Sequence, residues 1–459
     1  MRYYDERQSP ETRGHCTSRM ASSTTPRTRA RTRAAAMADA PASSVEVEVS
    51  LDARRRSSRK SPPYGTTTNK LMMMNPTGYN LVDRSPTPST KEILAAIPPR
   101  CFVRSTPLSM FYAVLSVAMT LGLGLAARAL IPTCPIDDSL RPALWFAYAF
   151  AQGTVATGMW VVAHECGHGA FSDNKVLQDA VGYVLHSLLL VPYFSWQRSH
   201  AVHHSRTNHL TEGETHCPPV KGKTLGGHLV AAHRFLLGEL GVGVYQLVTH
   251  LLLGWPLYLL AGATGGPSRG VTNHFVPWSD SLFPGFRWKF KVLVSDVGVA
   301  ATLYLLKLWA DATSWREVGL LYFGPYLGVN FWLVLYTWLQ HTDVDVPHLD
   351  ASEWTWERGA FLTIDRPYGP VLDFLHHRIG STHAAHHLCS RIPHYRAEEA
   401  TRAIAAAFPD HYLRDPTPVA TALWRVATKC AEVSEAKGRG ADGKERRLWM
   451  FVDPERKTE

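Results

Sequence analysis

Residues 142–168 read PALWFAYAFAQGTVATGMWVVAHECGH, an apolar run that ends directly in two histidines four residues apart. As a helix with a rise of 1.5 Å per residue, Pro142–Ala163 is about 33 Å long, enough to cross the hydrocarbon core of a bilayer. His164 and His168 then lie on one face of the helix where it leaves the membrane. The stretch therefore predicts an integral membrane fold with a candidate metal site at the membrane surface.

Three further apolar stretches are long enough to cross a bilayer, and they are Leu108–Ile131, Val292–Ala310 and Val318–Gln340. The links 132–141 and 311–317 are short, so the four spans pair into two helical hairpins. Two weaker stretches, Leu177–Tyr193 and Val244–Ala263, contain histidine and proline and are predicted to be interfacial or partly inserted. We expect an all-α integral membrane protein with four transmembrane helices in two hairpins, interfacial helices and a cytosolic helical cap.

The two ends of the chain differ in composition from the middle. Residues 1–70 hold fourteen Lys and Arg against seven Asp and Glu, most of the formal net charge of +9. We predict a disordered basic tail over residues 1–75, with a possible organelle transit peptide in about the first 36 residues or a functional start at Met37. Residues 76–430 are expected to form the membrane domain and residues 431–459 a polar tail. The near-neutral remainder argues against a nucleic-acid enzyme.

The predicted topology places three histidine clusters on one side of the membrane. Four spans leave the N-terminus, the loop 164–291 and residues 341–459 together on the side with nearly all of the Lys and Arg, which the positive-inside rule makes cytosolic. The clusters on that side are His164 and His168; His200, His203 and His204; and His383, His386 and His387. One shared metal site requires this co-location.

The spacing of these eight histidines suggests their chemistry. On a helix, residues i, i+3 and i+4 share a face, so each cluster directs its imidazoles to a common centre. HECGH alone fits the zinc metalloprotease pattern with Glu165 as base, but eight imidazoles are too many for one four-coordinate zinc. They suit two transition-metal ions such as iron. Glu165 is then expected to orient a ligand imidazole. A metal or lipid carrier is the non-enzymatic alternative.

Four longer phrases carry a family resemblance: HECGHGAF, WQRSHAVHHSRTNH, LQHTDVDVPHLDASEWTWERGAFLTIDRPYGPVLDFLHHRIG and STHAAHHLCSRIPHYRAEEAT. Together they resemble the membrane fatty-acyl desaturases, specifically the delta-12 (omega-6) and omega-3 group of eukaryotes, from about residue 75 to about residue 430. The resemblance implies a non-haem di-iron enzyme. Such an enzyme uses dioxygen and two electrons to remove two hydrogens from an unactivated acyl chain.

The resemblance also implies ligands. The eight box histidines are carried over as iron ligands, and membrane desaturases generally add one more histidine outside the boxes. His341, just after the fourth span, is the first candidate and His377 the second, while Asn330 lies three helical turns before His341. Four other histidines are expected to have structural roles, namely His186, His209, His250 and His348.

Departures from the family pattern bear on the substrate. Gly169 follows HECGH, as in several omega-3 enzymes, whereas HAAHH and the phrase TPVATALWRVATKC look more like delta-12 enzymes. The expected reaction is oleoyl to linoleoyl (delta-12) desaturation. Omega-3 desaturation is the alternative, and hydroxylases, acetylenases and epoxygenases share the same three boxes.

The electron donor is expected to be a separate protein. The sequence has no HPGG phrase of a fused cytochrome b5 domain, no Gly-rich dinucleotide fingerprint and no Fe–S cysteine pattern. The boxes look more like those of endoplasmic-reticulum members, which take electrons from cytochrome b5, than of plastid members served by ferredoxin. Arg456 and Lys457 are reminiscent of a dibasic retrieval signal, and the Arg-rich head leaves a plastid membrane as the alternative location.

Overall fold

The computed structural model describes residues 86–439 and 445–452. The predicted basic tail, the alternative start at Met37 and the dibasic pair Arg456 and Lys457 lie outside the described residues.

The described part of the chain is mainly helical, which confirms the all-α prediction. The helices of its first half are α1 Thr90–Ala96, α2 Thr106–Leu130, α3 Arg141–His168, α4 Lys175–Ser187, α5 Tyr193–Ser205, α6 Leu225–Val248 and α7 Gly254–Ala261. Those of the second half are α8 Gly285–Ala312, α9 Trp315–Val318, α10 Gly324–His341, α11 Trp356–Phe361, α12 Pro370–Leu375, α13 His383–Leu388, α14 His394–Ala407 and α15 Val419–Lys429. A 3₁₀ turn, Pro99–Phe102, follows α1, and π-helical turns at Thr249–Leu253 and Gly319–Phe323 join α6 to α7 and α9 to α10.

Two small sheets accompany the helices. Strand β1 (Ile364–Asp365) pairs in parallel with β2 (Leu413–Arg414), and β3 (Val433–Arg439) pairs antiparallel with β4 (Glu445–Phe451).

Four helical runs in the described part are long and apolar enough to cross a membrane: Thr106–Leu130, Leu225–Ala261, Gly285–Ala312 and Trp315–His341. Three of them coincide with the predicted spans that begin at Leu108, Val292 and Val318. Many large apolar side chains on α2 and α8 are exposed, including Phe111, Leu121, Val297 and Leu305. This exposure is expected of helices that face lipid rather than water.

The predicted span Pro142–Ala163 lies within α3, which has sufficient length but is not one of these apolar runs. The cause is its central position. Helices α2, α4 and α10 pack around α3, and residues 152–166 are buried almost without interruption. A helix enclosed by protein can carry small and polar residues such as Gln152, Thr154 and Thr157, which would be costly against lipid.

Helices α3 and α10 cross closely at two glycines. A Cβ atom placed on Gly153 would lie 2.6 Å from the Cα atom of Gly328, and one placed on Gly328 would lie 3.0 Å from the Cα atom of Gly153. Small residues let the backbones of membrane helices approach in this way. The crossing fixes the separation of the two helices that end in His168 and His341.

The run Leu225–Ala261 begins well before the stretch predicted at Val244–Ala263 and ends two residues earlier than that stretch, so the predicted bounds were wrong. Gly238 has non-helical dihedrals, φ 67° and ψ 176°, which glycine adopts without a Cβ clash. A straight helix of 37 residues would be about 55 Å long. Yet the carbonyl oxygen of Thr264, just after the run, accepts a 2.8 Å hydrogen bond from the amide of Cys217. The chain from Cys217 to Thr224, just before the run, can span at most about 25 Å, so the two ends of the run are much closer than about 55 Å. The run therefore folds back at Gly238, and its two ends meet at one loop.

The other weak stretch, Leu177–Tyr193, is not one helix. Helix α4 ends at Ser187, and Pro192 stands before the first residue of α5. Proline has no backbone N–H to donate inside a helix, so it interrupts one, but it is tolerated at the start of a helix, where that N–H has no partner. The break turns the chain so that α5 can direct the second histidine box toward α3.

Strands β3 and β4 pack onto the cap, which comprises residues 342–432. In the β3–β4 hairpin Val433, Leu448 and Phe451 are buried, and the backbones of Trp449 and His348 exchange hydrogen bonds of 2.8 and 3.0 Å. The hairpin therefore holds the segment that follows α10.

Candidate metal centre

Four helices bring the histidines together. His164 and His168 lie in the last turn of α3, which ends at Gly169 with a left-handed φ of 75°. Helix α5 carries the second box and α13 the third, and α10 ends at His341. These helix ends converge, so the nine histidines form two adjacent clusters.

The first cluster contains five histidines whose ligand atoms all lie within 4.8 Å of one another: His164, His168, His200, His204 and His386. The Nε2 atom of His164 lies 2.9 Å from that of His200 and 3.2 Å from that of His168. The Nε2 atom of His200 lies 3.2 Å from that of His204.

The second cluster contains His203, His341 and His387, again within 4.8 Å of one another. The Nε2 atom of His341 lies 3.2 Å from that of His203 and 3.0 Å from that of His383. His341, predicted as the extra histidine, thus lies at the centre of this cluster, and His383 joins it as a fourth imidazole.

The two clusters share their helices. His203 and His204 are consecutive on α5 yet point to different clusters, and His386 and His387 divide in the same way on α13. Consecutive residues on a helix are turned by about 100°. One HH pair therefore supplies one imidazole to each of two neighbouring positions.

The donor set fits metal ions. A ring nitrogen carries either one proton or one lone pair, so it can either donate or accept a hydrogen bond but not both. The Nε2 atoms of His164 and His200 each lie next to two other Nε2 atoms, and hydrogen bonds cannot account for all of these contacts. Ligand nitrogens about 2.1 Å from an ion and 90° apart would lie about 3.0 Å from each other, close to the 2.9–3.2 Å separations found here. The buried Nε2 atoms of His386 and His387 have no hydrogen-bond partner within the part of the chain that the structure describes.

Burial keeps these imidazoles neutral. Desolvation lowers the pKa of His203 to about 3 and the pKa values of His204, His386 and His387 well below the ordinary 6.5. A neutral imidazole has the free lone pair that metal binding requires.

The carboxylate of Glu165 was predicted to orient a ligand imidazole, but it contacts His394, which lies outside both clusters. Its Oε2 atom accepts a 2.6 Å hydrogen bond from Nδ1 of His394, and its Oε1 atom accepts one of 2.5 Å from the backbone amide of His394. His394 belongs to neither cluster and is the first residue of α14. Because both carboxylate oxygens are engaged, Glu165 is not free to act as the base of a zinc protease.

His377, the second candidate for the extra ligand, lies outside both clusters. Its Nε2 atom is 3.0 Å from Oγ of Ser116 on α2, and its ring lies 4.5 Å from the ring of His394. The chain leaves α12 with left-handed φ values at His377 and Arg378, which turns this imidazole toward α2. Asn330 is buried in α10 about 16 Å before His341, a distance that separates it from the clusters.

Four histidines have the structural contacts that were predicted. His186, His250 and His348 each contact a backbone carbonyl oxygen, those of Trp160, Gln246 and His216 respectively. The Nδ1 atom of His209 accepts hydrogen bonds from the amides of residues 211 and 212.

Sequence reasoning missed one histidine near the second cluster. The ring of His216 is stacked on that of His341, with centroids 5.4 Å apart. It stands alone in a loop, without a second histidine at helical spacing, so no box pattern marks it.

A buried carboxylate positions the third box. Asp365, at the end of β1, accepts hydrogen bonds of 2.8 Å from the amide of Ala384 and the hydroxyl of Tyr412. It thereby ties the first turn of α13 to the β1–β2 pair. Burial raises the pKa of Asp365 from 3.8 to about 7.

An ion-pair network fixes the chain just beyond His341. Arg366 is fully buried and pairs with Asp343 at 2.8 Å and with Asp415. Arg425 on α15 contacts the same two carboxylates at 2.5 and 2.7 Å. Buried charges are tolerated when each is paired, and this network joins the end of α10 to the cap.

Comparison with known proteins agrees with this site. A family model described as fatty acid desaturase matches residues 142–417. The Delta(12)-acyl-lipid-desaturase of Punica granatum is 43% identical over 352 residues, which cover 77% of this chain and 88% of that protein. The Delta(12)-fatty-acid desaturase of Arabidopsis thaliana is 41% identical over 347 residues, covering 75% and 87%. The Delta(12) fatty acid desaturase of Mortierella alpina is 39% identical over 359 residues, covering 75% and 88%.

These relatives match nearly their whole length, and the family match includes all three histidine boxes and His341. The chain belongs to the fatty acid desaturase family.

Proposed function

We propose that the protein is a di-iron, oxygen-dependent membrane desaturase that converts oleoyl to linoleoyl chains. The observation that carries the proposal is the pair of adjacent imidazole clusters, five histidines in one and four around the other. The names of the relatives, delta(12) desaturases from plants and a fungus, support the position of the new double bond.

The reaction explains why such a site is needed. A methylene carbon far from a carbonyl has no acidic proton and no electrophilic centre, so acid–base and nucleophilic side chains cannot attack it. Bound iron supplies the dioxygen-dependent oxidation. The imidazole nitrogens of this chain are neutral, buried or half-buried, and already converged, which reduces the reorganisation needed when the metal binds.

Side chains around the histidine ligands hold these ligands in place. Thr207 Oγ1 lies 3.1 Å from Nδ1 of His387 and donates to the carbonyl of His203 at 2.8 Å. It therefore links one ligand of the second cluster to another. Asp365 and Arg366 act one step further out, on α13 and on the end of α10. Outer contacts of this kind set the orientation of metal-binding imidazoles.

We propose cytochrome b5 as the electron donor and the endoplasmic-reticulum membrane as the location. Support comes from the omega-6 desaturase of Brassica juncea, whose name places it in the endoplasmic reticulum and which is 42% identical over 74% of this chain. Ferredoxin and a plastid membrane are the alternatives.

The test is the fatty-acid profile of a yeast strain that makes oleate but no polyunsaturated acids. The strain expresses this chain, or the variant His386→Ala, with and without fed linoleate. New linoleate from endogenous oleate with the wild-type chain, and none with the variant, is the expected result. Iron content of the purified protein is measured in parallel.

Each other outcome points to a specific error. Further desaturation of fed linoleate alone would assign omega-3 activity, and hydroxylated or acetylenic chains would assign the corresponding reaction. Full activity of His386→Ala would contradict the proposed metal centre. Iron-loaded protein without product in yeast, but active with ferredoxin in vitro, would overturn the proposed donor.

A further inference from the structure

The second cluster has a neighbour that no family pattern points to. The ring of His216 lies 5.4 Å from that of His341, with an angle of 15° between the planes, and 6.3 Å from that of His203. In the first cluster the rings of His200 and His386 are also 6.3 Å apart. The ring of His216 therefore lies beside the second cluster, no farther from the ring of His203 than the rings of His200 and His386 lie from each other.

The backbone holds His216 in an unusual conformation. Its φ is 58°, in the left-handed region that residues with a Cβ atom rarely adopt. Its amide donates to Oγ1 of Thr264 at 3.2 Å, and its carbonyl oxygen accepts a hydrogen bond of 3.0 Å from Nε2 of His348. His348 is itself joined to the β3–β4 hairpin through Trp449. An unfavourable backbone conformation fixed from both sides is characteristic of functional positions.

The ring of His216 has no other explained role. Neither of its ring nitrogens has a hydrogen-bond partner among residues 86–439 and 445–452, and both hydrogen bonds of this residue are made by its backbone. The second cluster contains four imidazoles where the first contains five. His216 stands beside the cluster with fewer donors.

We propose that His216 is a further imidazole of the second cluster and takes part in holding the metal ion bound there. This inference rests on the proposed two-ion centre and adds a residue that the histidine boxes do not contain. Because the backbone and not the ring is held by hydrogen bonds, the imidazole is free to present a nitrogen to the ion.

The test measures iron per chain and the rate of iron loss to a chelator in purified protein. His216→Phe keeps an aromatic ring beside His341 and removes both nitrogens. His216→Asn accommodates the left-handed backbone with a side chain too short to reach as far. His209→Gln is the matched control, because it alters a buried histidine of the same loop whose ring contacts Trp354 rather than a cluster.

We expect the wild-type protein and His209→Gln to hold two ions. Both His216 variants should lose one ion about ten- to a hundredfold faster, while their melting temperatures show that they remain folded. If either His216 variant has the iron content and release rate of the wild-type protein, this inference is overturned while the proposed function stands. A wild-type protein that does not bind two ions would overturn the proposed function and this inference with it.

Discussion

Replacing Gly153 by alanine should damage the metal centre from a distance, because this residue sets the approach of α3 to α10. The new Cβ atom would lie 2.6 Å from Cα of Gly328 and 2.7 Å from the carbonyl oxygen of Pro325. Ordinary carbon contacts are about 3.5–4.0 Å, so the helices must separate by about 1 Å. Backbone atoms cannot turn aside as a flexible side chain can.

The shift matters at the far ends of these helices, where His164 and His341 lie about three to three and a half turns beyond the crossing. Metal–ligand distances tolerate only about 0.2 Å of error. A misplacement of about 1 Å can reduce turnover about a hundredfold, and overpacking typically costs about 1–3 kcal/mol of stability.

The assay compares iron content and linoleate formation in yeast for Gly153→Ala and the control Gly122→Ala. A Cβ atom on Gly122, in α2, meets nothing within 4 Å, so this variant should retain both properties. Wild-type iron content and turnover in Gly153→Ala would refute the reasoning that the glycine crossing fixes the distance between the histidines.

Three other variants test the surroundings of the site. Glu165→Gln should lower the free energy of unfolding by about 1.5–3 kcal/mol, measured by denaturant unfolding, because a buried charge-assisted bond to His394 is lost. Iron should stay bound, and iron loss as complete as in a box variant would show Glu165 to be a ligand. His377→Gln should keep both ions in an iron assay, since this ring contacts Ser116; loss of an ion would return it to the ligand set. For Asp365, the folded protein retains a proton that the unfolded chain releases between pH 3.8 and about 7, so this contribution to stability declines as pH rises through that window. Melting temperatures of Asp365→Asn should lack this decline, and an unchanged pH dependence would contradict it.

Apolar length was sufficient to predict three of the spanning helices, because lipid-facing helices must be predominantly apolar over their whole length. It described α3 less well, since this helix is enclosed by protein and its Thr and Gly residues serve packing. The break at Pro192 had a local signal in proline chemistry. The return of the run Leu225–Ala261 to its starting loop depends on the contact between Cys217 and Thr264, which no periodicity encodes.

In the site too, features with a local sequence signal were predicted and features that depend on distant contacts were not. Helical spacing grouped the box histidines, and the family resemblance implied a ninth histidine, for which His341, just after a span, was the first candidate. The partner of Glu165 could not be found from spacing, because His394 lies 229 residues along the chain. His377 was misleading for a related reason, since a pair of adjacent histidines looks like half a box until the backbone shows where it turns.

The division of the HH pairs between the two clusters has a mechanical consequence. Each of α5 and α13 carries donors of both positions on a single short stretch of backbone, so thermal motion of either helix moves these donors together. The distance between the two metal positions is therefore set by the fixed rise and rotation between two consecutive helical residues. Relative motion of the cap and the membrane helices can move histidines of different helices apart, but it changes the distance between the two metal positions very little.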